Sequence, residues 1–289
     1  MTAGLGAEWN ANGRFLMGER SVFSTPKRSL GQNFLSDPNI CRRIVDCVGL
    51  SPGDPVLEIG PGRGALTRTL AAHKGPCMVL EKDHALAHWL KAEFPGIAVV
   101  HGDGLDFCWE ATDRLPGLSL VGNLPYNVAS PMIWEMVCRC RAFRSMTFMV
   151  QKEVAQRLAA PAGSRAYGAL SAWVGSFVRV ELLFTVPPHV FRPRPKVDSA
   201  VVRFVPRPDP AWAAARALSA CLKILFQQRR KQLGTILKSR WSPSVDAWCK
   251  IAGVDRRVRP EQLPPDLLRA LALALDEKTD PRSQKSLGE

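Results

Sequence analysis

Three successive predicted strand ends carry residue types suited to binding a single ligand. The apolar run Val56 to Ile59 leads into the turn Gly60-Pro61-Gly62-Arg63-Gly64, where glycines would let a ligand approach the backbone closely. Glu81 ends the next strand about twenty residues later, where a carboxylate can accept hydrogen bonds from both hydroxyls of a ribose. Asp103 ends the following strand and could accept from the exocyclic amine of an adenine. The set predicts an adenosine-containing ligand, either NAD or S-adenosylmethionine.

The fourth strand end decides between these two ligands. It carries Asn123-Leu124-Pro125-Tyr126, a tetrapeptide typical of methyltransferases that act on a nitrogen conjugated to a planar ring. The Asn123 side-chain oxygen and the Leu124 carbonyl can accept from such an amine, Pro125 stiffens the loop, and Tyr126 offers an aromatic face to the base. We therefore predict a catalytic loop at Asn123, Leu124, Pro125 and Tyr126, with S-adenosylmethionine as the methyl donor.

The elements that must position these residues alternate between short β-rich runs and helical patterns. The predicted strands are Val56 to Ile59, Cys77 to Leu80, Ala98 to Val100, Leu118 to Val121 and Thr147 to Val150. Such alternation predicts a parallel sheet wrapped by helices, which places all the strand ends named above at one edge.

Charge divides the chain into two parts. The chain of 289 residues has 39 basic and 26 acidic side chains, a net +13, and residues 211 to 289 contribute 15 and 8 of these, a net +7. The prolines at 206, 208 and 210 predict a linker before this basic part, in which leucines at helical spacing predict helices throughout. The triplet Arg229-Arg230-Lys231 follows the first of these amphipathic runs, and we place it on a helix, where consecutive residues point about 100° apart and at least two of the three must face solvent or a partner. An excess of positive charge favours an anionic polymer as partner, and we predict that this triplet contacts it.

Several functional classes are excluded by composition. The sequence has no apolar stretch approaching the roughly 20 residues that cross a bilayer, and residues 1 to 24 do not fit a secretory signal. The eight cysteines show no metal-binding spacing, and we interpret them as buried thiols in a reducing cytoplasm. His84 and His88 are four residues apart but lack a third ligand, so no metal is predicted.

With Asn-Leu-Pro-Tyr following a Gly-Pro-Gly turn, the sequence resembles the bacterial small-subunit ribosomal RNA adenine N6,N6-dimethyltransferases. The resemblance extends from about residue 27 to 275. It is carried by the segments Lys27 to Leu35, Gln151 to Ala155, Tyr167 to Ser171, Phe191 to Ser199 and Phe226 to Leu233.

The resemblance implies a fold, a domain organisation and a set of ligand contacts. The fold is a Rossmann-like class I S-adenosylmethionine-dependent methyltransferase domain (27–207) with a smaller all-helical RNA-binding domain (208–276), between a flexible extension (1–26) and a disordered tail (277–289). Phe191 would be a second aromatic side chain near the target base. The implied cofactor-binding residues are Asn33, Leu35, Gly60, Glu81, Asp103 and Asn123.

The function that the resemblance implies is the transfer of methyl groups to N6 of two adjacent adenosines near the 3′ end of 16S rRNA. The partner would be an immature 30S subunit, the protein a cytoplasmic monomer, and the donor S-adenosylmethionine without a metal. Alternatives are a methylase of a large-subunit rRNA adenosine and, more distantly, a glutamine or DNA-adenine methylase. A rival of another class is a non-enzymatic assembly or transcription factor on the same fold.

Overall fold

The computed structural model describes residues 31–276, together with Pro26 and two short strands, Glu8–Trp9 and Phe15–Leu16. The predicted tail at 277–289 and most of the predicted extension at 1–26 lie outside the described residues. The strands are β1 (Glu8–Trp9), β2 (Phe15–Leu16), β3 (Phe34–Leu35), β4 (Val56–Ile59), β5 (Cys77–Glu81), β6 (Ala98–His101), β7 (Leu118–Asn123), β8 (Phe143–Gln151), β9 (Val178–Val186), β10 (Phe191–Arg192) and β11 (Ser199–Pro206). The helices are α1 (Pro38–Val48), α2 (Thr67–Leu70), α3 (His84–Glu93), α4 (Ala129–Arg139), α5 (Lys152–Leu158), α6 (Ala169–Phe177), α7 (Ala215–Phe226), α8 (Leu233–Ile236), α9 (Pro243–Ala252) and α10 (Pro265–Asp276).

The main sheet has seven strands in the order β6-β5-β4-β7-β8-β11-β9. Its first five members are parallel and correspond to the five predicted strands, so the predicted α/β fold is confirmed. The order reverses between β4 and β7, and such a switch point leaves a crevice at the carboxyl ends of the strands where ligands bind. The last two strands of the sheet, β11 and β9, are not among the five predicted strands, and β11 pairs antiparallel with both β8 and β9.

The strands β4 and β7 leave no room for a side chain at Gly122, beside the switch point. A side-chain carbon added to Gly122 would lie 2.4 Å from the Ile59 carbonyl oxygen. Real side-chain carbons do not approach a backbone oxygen so closely, so the sheet requires glycine at this position.

Helix α1 shows how local sequence sets the element boundaries. Asp37 caps its first turn by accepting from the amides of Asn39 and Ile40 at 2.8 and 3.1 Å. Gly49 caps the other end of the helix, with a φ of +67° that suits glycine. The apolar face of the helix, which includes Ile44, is buried in a hydrophobic core that it shares with residues of the sheet.

The carboxyl-terminal helices α7 to α10 share one hydrophobic core with the sheet and with α6. The Arg207 guanidinium binds both carboxylate oxygens of Asp266 at 2.8 and 2.9 Å, and the buried Tyr167 hydroxyl donates to the Leu263 carbonyl at 2.9 Å. The proposed boundary at 207/208 therefore falls where two closely packed parts meet, and it stays a prediction.

One sequence-based expectation for this part is wrong. The sequence pattern places the basic triplet on a helix, but α7 ends at Phe226 and the triplet lies in a turn that spans residues 227–231. Arg229 and Arg230 thus take their directions from the turn and not from a helical repeat. We call this segment the basic turn.

Candidate active site

The switch point opens into a cleft of about 1080 Å³, part of which is continuous with solvent. It is lined by the segments that follow β4, β5, β6 and β7 and by the segment around β3. Most residues predicted to bind the cofactor and the target amine line it together: Asn33, Leu35, Gly60, Glu81, Asp103, Asn123, Leu124, Pro125 and Tyr126. Residues as far apart in the chain as Asn33 and Tyr126 therefore form a single site.

The glycine-rich turn forms the floor of this cleft. Gly60 and Gly62 have φ angles of +65° and +57°, which side chains other than glycine rarely adopt. The Phe34 ring covers the turn so closely that a side-chain carbon on Gly62 would lie 2.9 Å from it, and the Arg63 guanidinium lies 4.6 Å from the same ring. The turn thus presents bare backbone to the cleft, with an aromatic side chain packed against it.

Glu81 is held rigidly at the end of β5. Its two carboxylate oxygens accept from the amides of Gly62 at 3.0 Å and Asp83 at 2.8 Å, and the side chain is buried. Burial raises the pKa of Glu81, while these backbone hydrogen bonds oppose the rise. Each oxygen keeps further lone pairs, so a carboxylate fixed in this way can also accept hydroxyl groups from a ligand.

Asp103 is paired with a lysine from the neighbouring strand end. Lys82 Nζ lies 2.5 Å from one carboxylate oxygen, and the other accepts from the Leu105 amide at 3.0 Å. Partial burial would raise the pKa of Asp103, but the hydrogen bonds from Lys82 and Leu105 and the lysine charge lower it below its usual value. Asp103 is therefore an ionised acceptor at the rim of the cleft.

Asn123 is oriented by the segment that crosses the cleft. Its side-chain Nδ2 donates to the Asn33 carbonyl at 2.9 Å, which commits the nitrogen and leaves the side-chain oxygen as an acceptor. Leu35 is 6% exposed and pairs with Phe191 between β3 and β10. Asn33 thus acts through its backbone, and Leu35 anchors the segment that carries Asn33.

Tyr126 is fixed by the first residue of β11. Its hydroxyl lies 2.6 Å from Ser199 Oγ, and burial raises the pKa of the phenol. The Pro125 carbonyl accepts from the amides of Val128 and Ala129 at 3.1 and 3.0 Å, which joins the loop to the first turn of α4. Leu124 is buried, so only part of the tetrapeptide faces the open cleft.

Four of the predicted site residues lie away from the cleft. Phe191, the first residue of β10, is completely buried in the core and does not line the cleft. Arg229 donates to the Tyr167 carbonyl at 3.1 Å and lies 3.6 Å from a Glu261 carboxylate oxygen. Arg230 and Lys231 are exposed.

Glu58 also lines the cleft, although it belongs to none of the sequence motifs named above. It is 1% exposed, accepts a 2.6 Å hydrogen bond from the Thr67 hydroxyl, and burial together with the nearby Glu81 raises its pKa to about 8 in spite of that bond. An acid in the middle of an apolar strand was the signal that could have revealed it. Glu58 is thus mainly protonated at neutral pH and can donate as well as accept.

The comparison that decides the family is a profile match along most of the chain. The sequence profile of the family described as "Ribosomal RNA adenine dimethylase" matches residues 23–277. The chain belongs to the ribosomal RNA adenine dimethylase family. Membership confirms the predicted resemblance and the predicted enzyme class.

Relatives in this dimethylase family from several bacteria are named "Ribosomal RNA small subunit methyltransferase A". The protein of Maridesulfovibrio salexigens is 48% identical over 241 residues, which cover 83% of this chain and 91% of that protein. The protein of Nitratidesulfovibrio vulgaris strain Hildenborough is 46% identical over 258 residues, 86% of this chain and 96% of that protein.

Two solved structures share the fold of this dimethylase. A dimethyladenosine transferase from Plasmodium falciparum has a TM-score of 0.70 at 23% identity, covering 85% of this chain and 98% of that chain. The 23S rRNA methyltransferase ErmE has a TM-score of 0.63 at 26% identity, covering 84% of this chain and 99% of that chain.

Two further findings concern the described residues alone. No helix among them is long and apolar enough to cross a membrane. They contain no group of three or more His, Cys, Asp or Glu side chains that could hold a metal ion.

Proposed function

We propose that this protein transfers methyl groups from S-adenosylmethionine to N6 of two adjacent adenosines near the 3′ end of 16S rRNA, giving N6,N6-dimethyladenosines. The observation that carries the proposal is the orientation of Asn123. Its Nδ2 is committed to Asn33, so its oxygen is the free end of the amide in a cleft that also holds Glu81, Asp103 and Tyr126.

The residues of the cleft fit an adenosyl sulfonium donor. Bare backbone at Gly60 allows close approach, since a side-chain carbon there would meet only the Asn123 carbonyl oxygen, 3.9 Å away. Glu81 supplies two fixed acceptors for ribose hydroxyls, and Asp103 an ionised acceptor for the adenine amine. When bound, S-adenosylmethionine supplies an electrophilic methyl group.

The target base is handled by the catalytic loop. An N6 lone pair is delocalised into the adenine ring, and a hydrogen bond from the amine to Asn123 Oδ1 favours the geometry in which the lone pair is available for attack. Tyr126 offers its ring for stacking, and its hydroxyl is held by Ser199. Because the methylated amine is cationic and acidic, its proton can leave to water, and no histidine is among the described residues that line the cleft.

The proposal assigns 16S rRNA, within an immature 30S subunit, as the substrate of a monomer acting in the cytoplasm. Support comes from the small-subunit relatives at 46 and 48% identity, against 26% for the 23S enzyme of known structure. The net charge of +13 suits an RNA partner.

The test is a transfer assay with labelled S-adenosylmethionine. Small and large subunits that lack the modification are incubated separately with the protein, and their RNA is digested to nucleosides. Label in N6,N6-dimethyladenosine from small subunits, at two residues per subunit, is the expected result. Label confined to large subunits, or label absent from dimethyladenosine, contradicts the proposal.

A further inference from the structure

A second groove lies beside the cleft, on the outer side of α4. Its floor is formed by Trp134 of α4, and its opposite wall by Ala169 and Leu170 at the start of α6. We call it the Trp134 groove. At its end nearer the cleft it is lined by Leu105, which directly follows the cleft residue Gly104, and by Ser130 in the first turn of α4.

Trp134 is supported from behind as a flat platform. Its ring stacks on Trp173 with centroids 4.3 Å apart and planes 2° from parallel. Trp173 is 2% exposed and donates its ring N–H to the Trp134 carbonyl at 2.9 Å. Trp134 remains partly exposed, so its accessible surface is on the groove side and is held in one orientation.

The charges in this groove suit the edge of a base better than a phosphate. Arg139 lies 2.9 Å from a Glu110 oxygen and 3.6 Å from a Glu135 oxygen, so its charge is already neutralised, which disfavours phosphate binding. Glu135 and Arg139 nevertheless place an acceptor and donors beside the Trp134 ring. An aromatic face with both types of group beside it is how proteins hold unpaired bases of RNA.

The groove also connects two sites already described. One end adjoins the catalytic loop through the first turn of α4, whose Ala129 amide donates to the Pro125 carbonyl. The wall formed by Ala169 and Leu170 closely follows Tyr167 in the chain, and the Tyr167 carbonyl accepts from Arg229 of the basic turn. A strand that runs from the catalytic loop to the basic turn would cross Trp134.

We propose that the Trp134 groove is a base-stacking site, which binds an unpaired RNA base next to the target adenosine in the strand. The inference rests on the proposed function, because it needs RNA as the substrate. Stacking there would hold the flanking strand while the target base occupies the cleft. The site would contribute to substrate binding and not to methyl transfer itself.

The experiment compares Trp134→Leu with Trp134→Phe in the transfer assay with unmethylated small subunits. Leucine keeps an apolar side chain over Trp173 but removes the aromatic face, whereas phenylalanine keeps a face. We expect Trp134→Leu to raise KM by about 5- to 150-fold, the range for losing one stacked base, with kcat within a factor of about two. Trp134→Phe should retain most of the affinity, and calorimetry should give both variants the parental Kd for S-adenosylmethionine, which also verifies their folding.

A second variant leaves Trp134 in place. Ala169→Leu adds bulk from the opposite wall, so it should raise KM for subunits in the same way, without removing the tryptophan stack. Equal KM values for parent, Trp134→Leu and Ala169→Leu, or equal losses for Trp134→Leu and Trp134→Phe, would overturn the inference while leaving the proposed function intact. Absence of methyl transfer by the parent protein would instead refute the proposed function.

Discussion

At the residue scale, the side-chain amide of Asn123 binds the Asn33 carbonyl through its nitrogen and, in the proposed reaction, the target amine through its oxygen. Asn123→Ala removes the acceptor for the target amine, and loss of one hydrogen bond that stabilises a transition state lowers kcat by about 10²-fold or more. Single-turnover transfer to small subunits measures this loss. Subunit binding should hardly change, and a folded Asn123→Ala protein with parental turnover would contradict the assigned role.

Glu81 is expected to determine cofactor affinity. Glu81→Ala deletes the acceptor inferred for two ribose hydroxyls and also frees the amides of Gly62 and Asp83, so S-adenosylmethionine should bind at least about tenfold more weakly. Calorimetric titration gives the comparison. The control is Glu93→Ala, which removes an exposed carboxylate paired with Arg68 and should leave the Kd unchanged; equal Kd values for both variants would contradict the assignment.

Glu58 should make the stability of the protein depend on pH. Its pKa is about 8 in the folded protein against an ordinary value of 4.5. The folded state therefore binds more protons between these values, and the free energy of unfolding falls as pH rises from about 4.5 to about 8. Glu58→Gln keeps an acceptor for Thr67 without a charge, so its melting temperature should exceed that of the parent by several degrees at pH 8.

The melting comparison for Glu58→Gln is made without ligand at pH 4.5, 6 and 8. The advantage of the variant should shrink as pH falls and be small at pH 4.5, where Glu58 is protonated in the folded state and about half protonated in the unfolded state. If the melting temperatures of Glu58→Gln and the parent differed by the same amount at all three pH values, the pKa of Glu58 would not be raised in the folded protein.

At the scale of elements, the close contact between β4 and β7 sets the width of the switch point. Gly122→Ala would place a carbon 2.4 Å from the Ile59 carbonyl, so the strands must separate, at a cost of about 1–3 kcal/mol in the free energy of unfolding. The matched control is Gly96→Ala, where an added carbon meets nothing within 4 Å. Urea denaturation measures both, and equal stabilities would show that the sheet adapts freely.

The sequence predicted those elements whose pattern is contained within a short stretch of neighbouring residues. The five parallel strands were visible as apolar runs. A strand covered on both faces must be apolar along its length, as β4 and most of β7 and β8 are, whereas the edge strand β6 is apolar although it is mostly exposed. The antiparallel insertion of β11 between β8 and β9 left no such mark, since strand order depends on partners distant in sequence. The contact from Asn123 to Asn33 spans 90 residues, and the resemblance suggested the neighbourhood but not the bond.

The basic triplet shows a different limit of local reasoning. Composition correctly indicated a cluster of positive charge, but the directions of its side chains depend on the end of α7 at Phe226. Arg229 turns towards Tyr167 and Glu261, which a helical pattern did not predict. Arg230 and Lys231 are therefore the better candidates for phosphate contacts.

At the scale of the whole molecule, the uneven charge predicts how the protein binds RNA. Replacing Arg230 and Lys231 with Ala should weaken subunit binding and make its logarithmic salt dependence shallower by about 0.7 to 0.9 per lost phosphate contact. The control is Lys74→Ala with Lys91→Ala, which removes the same charge from exposed positions in the sheet-bearing part. If both double variants gave the same salt dependence, only net charge would matter and the basic turn would have no specific contact.

The position of β11 has a consequence for the order in which the enzyme becomes active during its own synthesis. Ser199, which holds the Tyr126 hydroxyl, is the first residue of β11, and β11 enters between two strands made earlier. A nascent chain that has emerged only as far as β9 can form the parallel strands, but its sheet lacks the strand that belongs between β8 and β9, and Tyr126 lacks its partner. Such late, non-local pairing is slow. Most of the chain must therefore emerge from the ribosome before the protein can become active.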